Sequence, residues 1–112
     1  MSDNESNNGP LKDIRVIELG QLIAGPFCGQ LMADMGADVI KVEPPGTGDP
    51  MRKWGRGDYP LWWSVCARNK KCVTANLREP EGQEIAKKLI SNADMVLENF
   101  RPGTLEKWGM DY

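Results

Sequence analysis

The 112 residues contain no histidine, so any acid–base chemistry carried here falls to carboxylates, lysines or tyrosines. Only three cysteines are present, Cys28, Cys66 and Cys72, and their odd number and scattered spacing exclude a disulfide framework and a Cys/His zinc site. No metal is expected. Cys28 falls on an apolar helical face and Cys72 opens a strand, which predicts buried, unreactive thiols and a reducing, cytoplasmic setting. No apolar run approaches the roughly 18–20 residues that span a bilayer. Charge of one sign is not in excess either: the formal net charge is −2, which points to no nucleic-acid and no membrane partner. The opening MSDNESNNGP lacks the basic start and apolar stretch of a signal peptide, and residues 1–10 read as a disordered lead-in.

With 40% apolar and 27% charged residues, the remainder has the composition of an ordinary soluble domain. Residues 14–19, IRVIEL, alternate and are β-branched, predicting a strand. Pro26 suits the first position of a following helix. Phe27, Cys28, Leu31, Met32 and Met35 share the helical face expected to be buried, and Gly36 is the expected stop. Residues 38–43, DVIKVE, form a second strand and complete a βαβ unit of the size of a parallel crossover. Residues 44–60 are dense in Gly and Pro and read as a long exposed loop. Residues 61–66 suit a helix better than a strand. A basic turn then leads to a strand over 72–77, and Glu79-Pro80 opens a helix with Ile85, Ala86, Leu89 and Ile90 on one face. A strand over 94–98, a turn over 99–103 and a short helix from Thr104 close the chain. The alternation predicts an α/β fold with a mostly parallel sheet, in one domain over 11–112 without internal repeats. The chain stops at Tyr112, where another helix needs packing partners, so it reads as an incomplete domain.

Ligands of open parallel sheets bind beyond the carboxyl ends of the strands. The turn 21–26 presents N–H groups at a helix start, an anion site in principle. It is neither a dinucleotide fingerprint, since the third glycine is missing, nor a P-loop, since no Gly-Lys-Ser/Thr follows. Between Arg52 and Lys71 five positive charges are in excess, next to Trp54, Trp62 and Trp63. That stretch could hold a phosphate and stack a base, or equally be a solvated basic loop with packed tryptophans; nucleic acid is a poor third reading. Asn99, Phe100 and Arg101 place an amide, an aromatic and a fixed cation at one strand end. Glu43 and Glu98 also end strands, and read as solvated groups or ion-pair partners, not as a catalytic pair.

The run VIELGQLIAGPFCGQLMADMGADVIKVEPPGTGD, then ARNKKCVTANL, REPEGQEIAKKL and ADMVLENFRPGTLEKWGM, resembles in content and order the opening of the class III CoA-transferase (CaiB–BaiF) family. The resemblance covers 11–112 and implies the first part of a Rossmann-like large domain, in an interlocked homodimer. It implies transfer of CoA from an acyl-CoA donor to a free carboxylic acid. An aspartate attacks the thioester and releases CoA thiolate; the thiolate attacks the mixed anhydride, freeing the donor acid and leaving an aspartyl-CoA thioester that the acceptor acid resolves in reverse. That aspartate lies beyond the matching stretch, so no catalytic residue is assigned in this chain. The implied CoA contacts are Ile23 and Ala24 in the first turn, Ala75, Asn76, Leu77 and Arg78 along the nucleotide, Asn99, Phe100 and Arg101, and Lys107 as a phosphate partner. Ile23 stands where some relatives have glutamine and Pro44 where several have arginine; Arg52 and Arg56 are candidates to compensate for the latter. An acyl-CoA racemase or epimerase of the same family, and a non-catalytic CoA-binding remnant, are the alternative expectations.

Overall fold

A computed structural model describes residues 9–56 and 60–112. Residues 1–8, most of the expected disordered lead-in, lie outside the described residues, as do 57–59 of the long loop. The elements run β1 (Arg15–Glu18), α1 (Ala24–Asp34), β2 (Asp38–Glu43), a 3₁₀ turn (Pro50–Lys53), α2 (Leu61–Cys66), β3 (Lys70–Thr74), α3 (Pro80–Ser91), β4 (Met95–Leu97) and α4 (Thr104–Lys107). The expected order of strands and helices holds throughout. The third strand begins two residues before its expected start and ends at Thr74, because Lys70 already pairs with Val39 of β2.

The four strands form one sheet in the order β3–β2–β1–β4, and every pairing is parallel. β1 and β2 are central and nearly sealed: Val16, Ile17, Leu19, Val39 and Val42 are all buried. Central strands covered on both faces read as apolar runs, so the polar positions of these strands are buried too. One face carries α1, with Val16, Ala33, Ala37 and Val39 at the core of the contact. The other gathers Ile17, Leu19, Val42, Ala75, Leu77 and Ala86, with Leu89 and Ile90 of α3, Leu105 of α4, and Phe100 and Trp108 around them.

α1 lies the opposite way round from its apolar periodicity. Its buried residues are Gly25, Pro26, Gly29, Gln30 and Ala33. Phe27 and Leu31, expected in the core, are 51% and 43% exposed, and Ile23 and Met35 line up with them on the outer face. The cause is close approach to the sheet. A Cβ on Gly29 would run into the Glu18 carboxylate, so only the small side of this helix fits there. The helix also starts two residues before Pro26, at Ala24, and stops as expected at Gly36 with φ 98°. The burial expected for Cys28 and Cys72 fails: Cys28 is exposed through the same rotation, Cys72 is exposed on the outer strand β3, and Cys66 is the buried one of the three. In α3 likewise Gly82 and Ala86 face inward while Ile85 is exposed.

Residues 44–56, the described first part of the expected loop 44–60, are not simply exposed. Asp49 and Met51 are each 1% exposed, and the chain folds back onto the end of β2. Asp49 caps the 3₁₀ turn by accepting from the Met51 N–H at 3.0 Å.

Candidate functional site

A cavity of about 590 Å³ opens at the carboxyl ends of the strands, a volume within the about 300–1,000 Å³ of small-molecule sites. Leu19 follows β1, Val42 and Glu43 end β2, Ala75 to Arg78 follow β3, and Phe100 and Arg101 follow β4; all line it. Gln21 after β1, Pro44, Pro45, Thr47, Gly48 and Pro50 from the loop, and Thr104 and Trp108 near the end of the chain complete the wall. Phe100 and Trp108 meet edge to face at 5.3 Å between ring centres. The cavity wall is therefore mixed: apolar at Leu19, Val42, Ala75, Leu77, Phe100 and Trp108, polar at Gln21, Glu43, Asn76 and Thr104, with two exposed arginines, Arg78 and Arg101.

Of the residues singled out from the sequence, Ala75, Asn76, Leu77, Arg78, Phe100 and Arg101 come together here. Asn99, Ile23, Ala24 and Lys107 are not in the cavity wall. Asn99 has a different place. β1 and β4 are adjacent in the sheet but far apart in sequence, and the chain diverges from β1 towards α1 at this point, the position where open α/β sheets form a crevice. Asn99 Oδ1 accepts from the Gln21 N–H at 2.9 Å, and its Nδ2 donates to the Gln21 carbonyl at 2.9 Å. A Cβ on Gly20 would strike that same amide. Ile23 and Ala24, one and two residues past Leu22, are exposed at the head of α1. Lys107 is exposed on α4.

Below this edge lies a buried ionic arrangement that sequence reasoning missed. Glu18 on β1 and Lys41 on β2 are register partners, and Lys41 Nζ lies 2.7 Å from Glu18 Oε2 and 2.7 Å from Asp49 Oδ2. Lys70 Nζ lies 2.7 Å from Glu18 Oε1 and donates to the Pro26 carbonyl at 2.7 Å. All four side chains are 1% exposed or less. Burial pulls Lys41 down, but Glu18 and then Asp49 outweigh it and hold the ammonium above its ordinary value. For Lys70 burial prevails over the single partner Glu18, with Lys41 adding repulsion, and its value is lowered. Two acids and two bases balance, so no net charge is buried; removing one member of such a set costs about 3–5 kcal/mol. In the sequence Glu18 and Lys41 stand as charged members of alternating strands, a pattern that normally faces solvent.

Four of the six basic residues between Arg52 and Lys71 pair with carboxylates from elsewhere in the chain, which leaves less charge for a phosphate than the sequence suggests. Arg52 forks onto Glu43 through Nε and Nη2, both at 2.7 Å, and its guanidinium carbon lies 3.9 Å from the Trp63 ring centre. Burial pushes Glu43 up, but Arg52 and the Asp49 N–H, bonded at 2.7 Å, hold it below the ordinary value. Arg68 forks onto Asp34, Lys70 is buried on Glu18, and Lys71 lies on Asp38. Glu43 is thus an ion-pair partner. Glu98 is exposed and accepts from the Phe100 N–H, on the far side of β1 from Glu43. Partial burial and the Glu43 carboxylate push the Cys72 thiol up, away from nucleophilic use.

Comparison with known proteins bears on what this edge binds. A family profile described as CoA-transferase family III matches residues 11–112. The chain is 66% identical over 106 residues to the succinyl-CoA–D-citramalate CoA-transferase of Chloroflexus aurantiacus, covering 92% of this chain and 26% of that protein. It is 49% identical over 114 residues to the succinyl-CoA–L-malate CoA-transferase beta subunit of the same organism, covering 98% of this chain and 28% of that protein. Among solved structures, a CAIB/BAIF family protein from Brucella suis superposes with a TM-score of 0.85 at 42% identity, over 93% of this chain and 29% of that one. The chain spans about a quarter of the length of the curated relatives it matches.

Proposed function

Because the chain belongs to CoA-transferase family III, we propose that it forms the amino-terminal, CoA-binding part of an enzyme moving CoA from an acyl-CoA to a free carboxylic acid. The nucleophilic aspartate lies outside these 112 residues. The observation that carries this reading is the cavity at the carboxyl edge, apolar along Leu19, Val42 and Ala75 and flanked by Arg78 and Arg101. Apolar walls suit a nucleotide base, and guanidinium groups suit phosphates because their fork matches phosphate oxygens. Asn76, Leu77 and Phe100 border the nucleotide portion; Asn99, outside the cavity wall, acts by holding Gln21 of that wall, and Lys107 on α4 meets a phosphate beyond the rim. Ile23 and Ala24 face the thioester end, across the switch point from the cavity. With isoleucine at position 23, contact there is apolar and offers no side-chain amide.

The relatives named for D-citramalate and L-malate support a short dicarboxylate as the acceptor and succinyl-CoA as the donor. The test is transfer by the full-length polypeptide carrying this chain, supplied with succinyl-CoA and D-citramalate, L-malate or glutarate, followed by mass spectrometry of the acyl-CoA products. Formation of the acceptor's CoA ester, with Arg78→Ala and Arg101→Ala each weakening CoA binding about tenfold, is the expected result. Exchange of the acyl α-proton into heavy water without transfer would sink it in favour of a racemase. Residues 1–112 alone are expected to show no transfer, and measurable turnover by that purified piece would overturn the placement of the nucleophile.

A further inference from the structure

We propose that Asp49 is a positioning residue for the reacting end of this site: its buried carboxylate, braced by Lys41, holds the left-handed backbone of Leu22 and so sets Ile23 and Ala24 at the head of α1. Leu22 has φ 66°, a conformation leucine keeps only where its surroundings enforce it. Its N–H faces both oxygens of Asp49, at 3.1 and 3.3 Å. The preceding residue, Gln21, is gripped on its N–H and its carbonyl by Asn99. Two consecutive backbone units are therefore clamped by side chains 27 and 78 residues away in sequence.

Asp49 is itself fully determined. Its carboxylate meets the Met51 N–H and the Lys41 ammonium, and its own N–H donates to Glu43 Oε2. Lys41 in turn meets Glu18 and the Gly20 carbonyl at 3.2 Å, so the brace reaches both sides of the turn. The loop that carries Asp49 also supplies Thr47, Gly48 and Pro50 to the cavity wall. Cavity and turn are thereby one mechanical unit, and Asp49 acts through Leu22 without touching a ligand.

The kinetic part of the test rests on the transferase reading; the exchange part does not. In the full-length polypeptide, Asp49→Ala removes the acceptor and strands Lys41, and so risks misfolding. The paired replacement Lys41→Met with Asp49→Leu removes both charges and leaves Glu18 balanced by Lys70, which keeps the fold accessible. Amide exchange in the paired variant should accelerate about tenfold at Leu22, whose N–H loses its acceptor, while Val16 and Ile17 stay protected. With succinyl-CoA as donor, kcat should fall about 10–100-fold with KM changed little, as expected for misplacement of a reacting group. Asp49→Asn, which keeps an oxygen for the Leu22 N–H, should recover part of kcat. Unchanged exchange at Leu22, acceleration spread equally over Val16 and Ile17, or parental kcat in the folded paired variant would each overturn the proposal. A parent polypeptide that binds no CoA would sink the transferase reading alone, and the exchange pattern would still decide whether Asp49 holds the turn.

Discussion

Asn99 uses both ends of one amide on the backbone of Gln21, and that pair spans the crevice between β1 and β4. Asn99→Ala leaves a donor and an acceptor to water, so the expected loss of stability is about 1 kcal/mol, seen as a lower denaturant midpoint at unchanged slope. Asn99→Asp keeps the acceptor for the Gln21 N–H but sets a carboxylate against the Gln21 carbonyl, and should be the worse of the two. Equal midpoints for both variants and parent would remove this residue from the account. Asn99 was legible in the sequence as a polar side chain at a strand end, yet its partner was not. Nothing local marks Gln21, because the bond depends on β4 returning beside β1 after the intervening strands are laid on the other side. Asp49 was hidden for a different reason. It lies in a Gly- and Pro-rich stretch without periodicity, where composition indicates a loop but is blind to what a loop folds against.

At the scale of elements, α1 shows where periodicity misleads. The sequence places four of its large apolar residues at four-residue intervals, Ile23, Phe27, Leu31 and Met35, and an equally regular small series, Gly25, Gly29 and Ala33, beside them. Area burial alone favours the first series inward. Close packing on Glu18 and the sheet admits only the second. Ala33→Leu should therefore destabilise by about 1–3 kcal/mol through overpacking, whereas Leu31→Ala should stay within about 1 kcal/mol. Thermal melts of the two variants against parent decide it, and a larger loss in Leu31→Ala would return the helix to the orientation its hydrophobic pattern suggests. Strands and connection order were readable because β-branched runs and Gly/Pro punctuation are local properties. The facing of a helix is not, since it depends on the shape of what lies beneath.

For the whole molecule, Asp34, Asp38 and Glu43 are all held below their ordinary values, Asp34 chiefly by the Arg68 hydrogen bond, and Asp38 and Glu43 because their cationic partners outweigh burial. A carboxyl lowered in the folded state contributes stability that is fully present above its unfolded value and is lost as pH falls through the folded one. For Glu43 that window opens near 4.5 and extends downward. Glu43→Gln should thus melt below parent at neutral pH, with the gap in Tm narrowing as pH drops under 4.5, where parent loses the charge as well. A gap independent of pH would sink the assignment. The overall architecture was open to reading from the chain, down to a parallel sheet with a cavity at its carboxyl edge; the buried quartet of Glu18, Lys41, Asp49 and Lys70 was not, because burial of a charge is decided by the partners that long-range folding supplies. The ion pairs of the sheet also differ in their reach of solvent. Arg15, Asp38 and Lys71 pair in reach of solvent at the strand starts, while the quartet is sealed. Dissolved ions screen the first set over a Debye length of about 10 Å at 0.1 M and scarcely reach the second. In brine the pairs at the strand starts weaken first, and the sealed quartet beneath the turn before α1 is the last to notice.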